Sequence, residues 1–282
     1  MTFANALRKQ SPYLLVFLVL FGLAYAEVLR GMVLAWYGDD NYSHGFLIPV
    51  VAGWFVYTGW QDLRDTEVRP SDLGGLLVLA GAAQFVLAWL ATEYFNMRLS
   101  MVVLLAGAVL LFFGREVFRK LRLPIGYLVL MVPLPYILYD AVAFPLKLFV
   151  AKVSVKTLQL MNFAVFREGN VISFPNITLE VADACSGLRS IMSLIALAVT
   201  LAFIMLRSPY KRLLLILLAV PFAVFTNTLR VIATGVLARY FGRQAAEGFF
   251  HEFAGIAVFV MALVLLLASG FILKRMEKRH DV

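Results

Sequence analysis

Residues 253–273 read FAGIAVFVMALVLLLASGFIL, 21 positions without an Asp, Glu, Lys, Arg or His. About 20 consecutive apolar residues, coiled as a helix, cross the hydrocarbon core of a bilayer. A soluble surface helix keeps a polar face, and this stretch has none. Seven further stretches lack the same five residue types: 10–26, 45–61, 73–92, 99–114, 123–139, 190–206 and 213–229. The chain therefore reads as an all-α polytopic membrane protein of about eight transmembrane helices. Composition agrees: 62% of the 282 residues are hydrophobic and 15% charged, whereas a soluble domain is roughly half apolar and about a quarter charged. A water-soluble globular enzyme is excluded.

The net charge of +8 raises the question of nucleic acid, and the placement of the basic residues answers it. With the N-terminus in the cytoplasm, most of the 25 lysines and arginines fall on that side, including Arg8, Lys9, Arg64, Arg69, Arg115, Arg119, Lys120, Arg122, Arg207, Lys211, Arg212, Lys274, Arg275, Lys278 and Arg279. That is the positive-inside distribution. Eight crossings return the C-terminus to the same side, where its KRMEKRH tail meets anionic headgroups. The charge reads as topology and as contact with membrane lipids, with no nucleic-acid partner. Arg8 and Lys9, the apolar run after them and Ala24-Tyr25-Ala26 imitate a secretion signal; the expectation is an uncleaved first span.

No repeat, heptad run or low-complexity linker appears, so residues 1–282 read as one integral membrane domain with an insertion at about 140–187. Within it, 141–166 is apolar but carries Lys147, Lys152 and Lys156. Those lysines fall on a loose polar face, which suits an extracytoplasmic helix lying in the interface. Residues 170–181 alternate β-branched positions around Pro175 and read as a short β-like hairpin or lid. Asn176-Ile177-Thr178 matches a glycosylation sequon, a weak match given no role.

Chemistry has few places to sit. The only cysteine, Cys185, excludes an internal disulfide or redox pair. A lone cysteine is usually a small packing residue. This one stands in Ala182-Asp183-Ala184-Cys185-Ser186-Gly187-Leu188-Arg189, a polar turn on the extracytoplasmic side just before an apolar helix, whose N–H groups and dipole favour a thiolate. Arg230 interrupts a long helix at a depth of about 26 Å. It could simply snorkel to headgroups, but Thr226 and Asn227 lie four and three residues back on the same face, a polar stripe costly to turn toward lipid. His251 stands at the outer start of the last span, and His44 lies in the first outer loop. Each alone reads as an ordinary interfacial histidine.

The charge-derived topology puts Cys185, Arg230 and His251, from three different spans, at one membrane face. A thiol nucleophile, a general acid/base and a fixed cation together suit acyl transfer. Arginine stays protonated, so it cannot be the base but can stabilise an oxyanion. Ligand spacings such as HExxH and CxxC are absent, as are glycine-rich phosphate loops, so no metal or other cofactor is expected.

Ala184-Cys185-Ser186-Gly187-Leu188-Arg189-Ser190, Asn227-Thr228-Leu229-Arg230-Val231, His251 ahead of the last span and Asn41-Tyr42-Ser43-His44-Gly45 together resemble the exosortase/archaeosortase family of membrane-embedded sorting enzymes. Histidine at position 251 looks like the bacterial branch. The resemblance implies a cysteine protease/transpeptidase of the bacterial inner membrane, exopolysaccharide-associated, acting on the periplasmic face. Its partners would be exported proteins with a C-terminal sorting signal: a short motif, often Pro-Glu-Pro, then a transmembrane helix and a basic tail. It further implies Cys185 as nucleophile through an acyl-thioester, Arg230 as oxyanion or substrate stabiliser and His251 as general acid/base. Arg189, Asp183, Asn227 and His44 are supporting candidates, and Arg189, four residues after the cysteine, could share the role of Arg230. No fused periplasmic domain is visible, so a separate accessory protein could supply one. The rival reading is a transporter or flippase for a lipid-linked polysaccharide precursor. It predicts polar residues at mid-membrane depth and paired broken helices, against spans that read as clean apart from Gln84 and prolines such as Pro133 and Pro221.

Overall fold

The computed structural model describes residues 1–175, 177–180, 188–242 and 249–278. These form two compact units, Met1–Pro135 and Tyr136–Val282.

The first unit opens with α1 (Phe3–Lys9) and α2 (Ser11–Gly38), which carries Pro12 in its first turn, where a missing N–H costs nothing. Ala24-Tyr25-Ala26 lies in the middle of α2, with Tyr25 buried and its hydroxyl 2.7 Å from Ser100 Oγ. A 3₁₀ turn, Asp40–Phe46, leads into α3 (Leu47–Thr58) and α4 (Trp60–Arg64). Next come α5 (Asp72–Leu90) and α6 (Tyr94–Phe113), the most closely packed pair. Their approach is set by glycine: a Cβ on Gly107 would lie 2.7 Å from Val78 N, and one on Gly74 would collide with the backbone N of Leu111. Small residues let membrane helices reach backbone contact where lipid supplies no hydrophobic drive. Glu93 caps α6, its carboxylate accepting from Phe95 N at 3.1 Å and Asn96 N at 2.7 Å.

The expected fifth span, 123–139, is not one helix. α7 (Arg115–Tyr127) passes into a 3₁₀ turn at Leu128–Met131, and residues 132–135 leave helical geometry before α8 (Tyr136–Leu160). Pro133 and Pro135 explain the break, since each lacks a donor and disfavours helix at the residue before it. Carbonyls freed at a break must be satisfied if the segment is to sit in a membrane. Trp36 Nε1 donates to Met131 O at 2.9 Å, and Tyr42 Oη donates to Leu134 O at 3.2 Å.

The second unit holds α8, a three-stranded antiparallel sheet β1 (Phe166–Glu168), β2 (Val171–Phe174) and β3 (Ile177–Glu180), then α9 (Leu188–Met205), α10 (Pro209–Phe241) and α11 (Phe249–Lys278). The expected interfacial segment is helical. It begins at Tyr136 rather than 141 and stops at Leu160, where Asn162 turns the chain at φ 64°. Lys152 and Lys156 are exposed, opposite buried Val150, Ala151, Val155 and Leu158. The expected hairpin is present with one more strand, in a register that pairs Phe166 with Ser173 and Phe174 with Ile177. Ala198 and Ala202 of α9, Ala219 and Ala223 of α10 and Ala262 of α11 line the helical core with Leu194, Leu215 and Leu266. Glu277 closes that core, accepting from Ser208 N at 2.8 Å ahead of α10.

Five helices among the described residues are long and apolar enough to cross a membrane: α2, α5, α6, α10 and most of α11. The count is six if Arg115–Met131 and Tyr136–Leu160 form one broken span. Large side chains such as Leu23 of α2, at 73% exposed, cover their outer faces; in water that surface would aggregate, and in a bilayer it meets acyl chains.

Candidate functional site

Arg230 lies in the second half of α10, which runs unbroken from Pro209 to Phe241 with Pro221 inside it. The polar residues before it face inward, with Thr226 and Asn227 each 2% exposed and Thr228 buried beside them. Thr226 Oγ1 donates to Phe222 O at 2.9 Å and Thr228 Oγ1 to Val224 O at 2.8 Å. Bonding back to the preceding turn satisfies a buried hydroxyl without help from another helix. The stripe expected from sequence is therefore turned away from lipid.

The Arg230 guanidinium reaches α11 at Gly255. A Cβ placed there would meet Nη2 at 3.3 Å, Cζ at 3.5 Å and Nη1 at 3.7 Å. Cα–Cβ bonds tilt toward a helix N-terminus, so a Gly255 Cβ would point toward the preceding turn of α11. His251 belongs to that turn, four residues before Gly255 and third in the helix. The structure thus places Arg230 against α11 at Gly255, four residues along the helix from His251.

The sheet converges on the same stretch of α10. Ile172 and Phe174 are buried with Val150, Leu158 and Val231, and Phe174 Cζ would lie 3.1 Å from a Cβ on Gly235. β3 ends at Glu180 and α9 begins at Leu188. Cys185 and Asp183 fall between these ends, outside the described residues. Arg189 is the second residue of α9; of Arg189 and His251 only the backbone is described.

His44 belongs to the first unit, in the 3₁₀ turn between α2 and α3. Burial pushes its pKa below the usual histidine range, opposed by hydrogen bonding with the backbone of Leu130 and Asn41. Burial thus favours the neutral imidazole. Its neighbour Tyr42 holds the carbonyl freed by the helix break, so part of the Asn41–Gly45 motif has architectural work. Sequence reasoning passed over Gly255 and the anchoring role of Phe174 and Val231, which it read only as members of the hairpin and of the arginine motif. Only the spacing of Gly255, one turn after His251, was available as a signal.

Such an arrangement offers a fixed, permanently charged donor fork beside the start of one apolar helix and a sheet leading toward another. These features define a multi-pass helical membrane protein with polar groups gathered in its C-terminal half. The chain matches the transmembrane exosortase family over residues 36–268. It belongs to that family, and its role is that of a membrane exosortase. No curated protein and no solved structure matches the chain.

Proposed function

We propose that the chain is a membrane-embedded cysteine protease or transpeptidase that removes the C-terminal sorting signal of exported proteins. His251 takes the proton of the Cys185 thiol, and the thiolate attacks the scissile carbonyl to form a C–S bond. Arg230 stabilises the oxyanion of the tetrahedral intermediate. His251 returns the proton to the leaving amine as the C–N bond breaks, leaving an acyl-thioester that water or an acceptor amine resolves. The observation that carries this reading is the Arg230 guanidinium seated at Gly255, one turn from His251, in a chain of the exosortase family. Asn227 holds the buried side of the stripe, while Arg189 and Asp183 flank the cysteine in sequence and tune its environment.

In this reading the chain crosses the bacterial inner membrane eight times, with both termini cytoplasmic and the active site periplasmic. α3 alone is short. Helical hydrogen bonding continues through Gly59, whose N–H reaches Phe55 O at 3.1 Å and whose carbonyl accepts from Leu63 N at 3.0 Å. Together α3 and α4 extend about 27 Å. The substrate helix enters sideways from the bilayer, and α8 with the sheet forms its docking wall and excludes water. Partners are exported proteins bearing a short motif such as Pro-Glu-Pro, one transmembrane helix and a basic tail, with room for a separate periplasmic accessory protein.

The break at residues 132–135 is what a transporter reading would use. That reading calls for two breaks in corresponding positions, and the described residues hold a single one. Cys185→Ala decides between them. The variant should insert at normal levels while full-length substrate accumulates, with processing reduced at least about a thousandfold, the scale on which removing a covalent nucleophile acts. Undiminished processing would sink the proposal.

A further inference from the structure

The first unit contains a second place where charge meets apolar surface. A cavity of about 790 Å³ lies between the second half of α2 and the ends of α5 and α6 that meet at Thr92. Val28, Phe85 and Met97 line its apolar part, and Arg30, Tyr94 and Arg98 its polar end. Trp89 and Tyr94, both more than half exposed at that end, are the residue types that collect at headgroup depth. α2, one wall of the cavity, is barely covered by protein, with 6% of its apolar stretch buried, so lipid surrounds that wall.

The charges in this cavity do not cancel. Glu27 faces Arg30 at 3.8 Å with both side chains largely exposed, a pairing that contributes little and leaves Arg30 able to swing. Arg98 stands over the Tyr94 ring, its Cζ 5.9 Å from the centroid, and forms no salt bridge among the described residues. Glu93 attracts Arg98 through space but spends its hydrogen bonds on the N–H groups of Phe95 and Asn96 and on Asn96 Nδ2, so it takes none of the guanidinium's donors. At headgroup depth an arginine lies within reach of lipid phosphates, and a guanidinium fork matches phosphate oxygens.

We infer that this cavity is a binding site for an anionic phospholipid, its phosphate held by Arg98 and Arg30 and its upper acyl chains laid against Val28, Phe85 and Met97. The occupant must be an amphiphile, because a free phosphate would use only one end of the cavity. The excess guanidinium selects an anionic over a zwitterionic headgroup. This site is independent of the proposed chemistry at Cys185.

Native mass spectrometry of the full-length protein, with dioleoylphosphatidylglycerol or dioleoylphosphatidylcholine added in detergent, tests the site. Wild type should retain the anionic lipid about tenfold better, the scale of one charge-assisted contact. Arg98→Gln should bring the two lipids near parity. Gly31→Phe offers a second variant: Gly31 lines the cavity and has nothing within 4 Å of its Cβ position, so the side chain starts in open space and projects where the lipid would lie. It should expel the lipid with Arg98 intact, which keeps the test decisive if Arg98→Gln fails to fold. Equal retention of both lipids by wild type, an undiminished preference in either variant, or displacement of the lipid by inorganic phosphate would overturn the assignment.

Discussion

A guanidinium packed against a glycine backbone can be displaced by one methyl group. Gly255→Ala would put a Cβ 3.3 Å from Arg230 Nη2, and the arginine must give way by a few tenths of an ångström. If Arg230 acts on the reacting carbonyl, a displaced donor should lower substrate processing by about tenfold or more, at unchanged protein level. Gly22→Ala, where nothing lies within 4 Å, should process substrate normally, and the two variants compared by immunoblot of processed product make the check. Arg230 was legible in the sequence because a charge that interrupts an uncharged run stands out, and Thr226 and Asn227 marked its face by helical spacing. Gly255 was not, because a glycine in an apolar helix looks the same whether it faces lipid or an arginine. Cys185 and Asp183 stand in the sequence as candidates between β3 and α9, outside the described residues.

Elements differ in how far their own residues decide them. α5 and α6 follow from two uncharged runs and the turn between them, and Glu93 marks the start of α6. The stretch 123–160 does not follow so simply. Its uncharged part reads as a span, yet Pro133 and Pro135 break it, and the break is tolerable because Trp36 and Tyr42, about 90 residues earlier, bond its carbonyls. The β-sheet was visible as alternation, but its anchoring was not. Phe174, 6% exposed against Leu158 and Gly235, fixes the sheet on α8 and α10 beside Arg230. Phe174→Ala should remove about 3–5 kcal/mol of that anchoring. The expected readout is faster limited proteolysis within residues 166–180, with α10 and α11 still protected. An unchanged cleavage rate would show that the sheet is held elsewhere.

At the scale of the whole molecule the eight-crossing topology makes a sharp prediction. Alkaline phosphatase fused after Val282 should be inactive, because it stays in the cytoplasm, while fusion after Asn41 should be active. Activity at both positions would reverse the C-terminal half and separate Cys185, Arg230 and His251 from the face where exported proteins arrive. The sequence by itself determined the class of protein, the uncharged segments and the family motifs. Those rest on local rules: a helix rises 1.5 Å per residue and a bilayer core is about 30 Å thick, so length without charge can be read one segment at a time. Only the tertiary structure decided that the expected fifth span is broken and repaired, that Thr228 is buried beside Thr226 and Asn227, and that Arg230 ends at Gly255. Each depends on groups far apart in the chain meeting in space, where a buried polar atom must find a partner or a donor must find room, and no single segment carries that information.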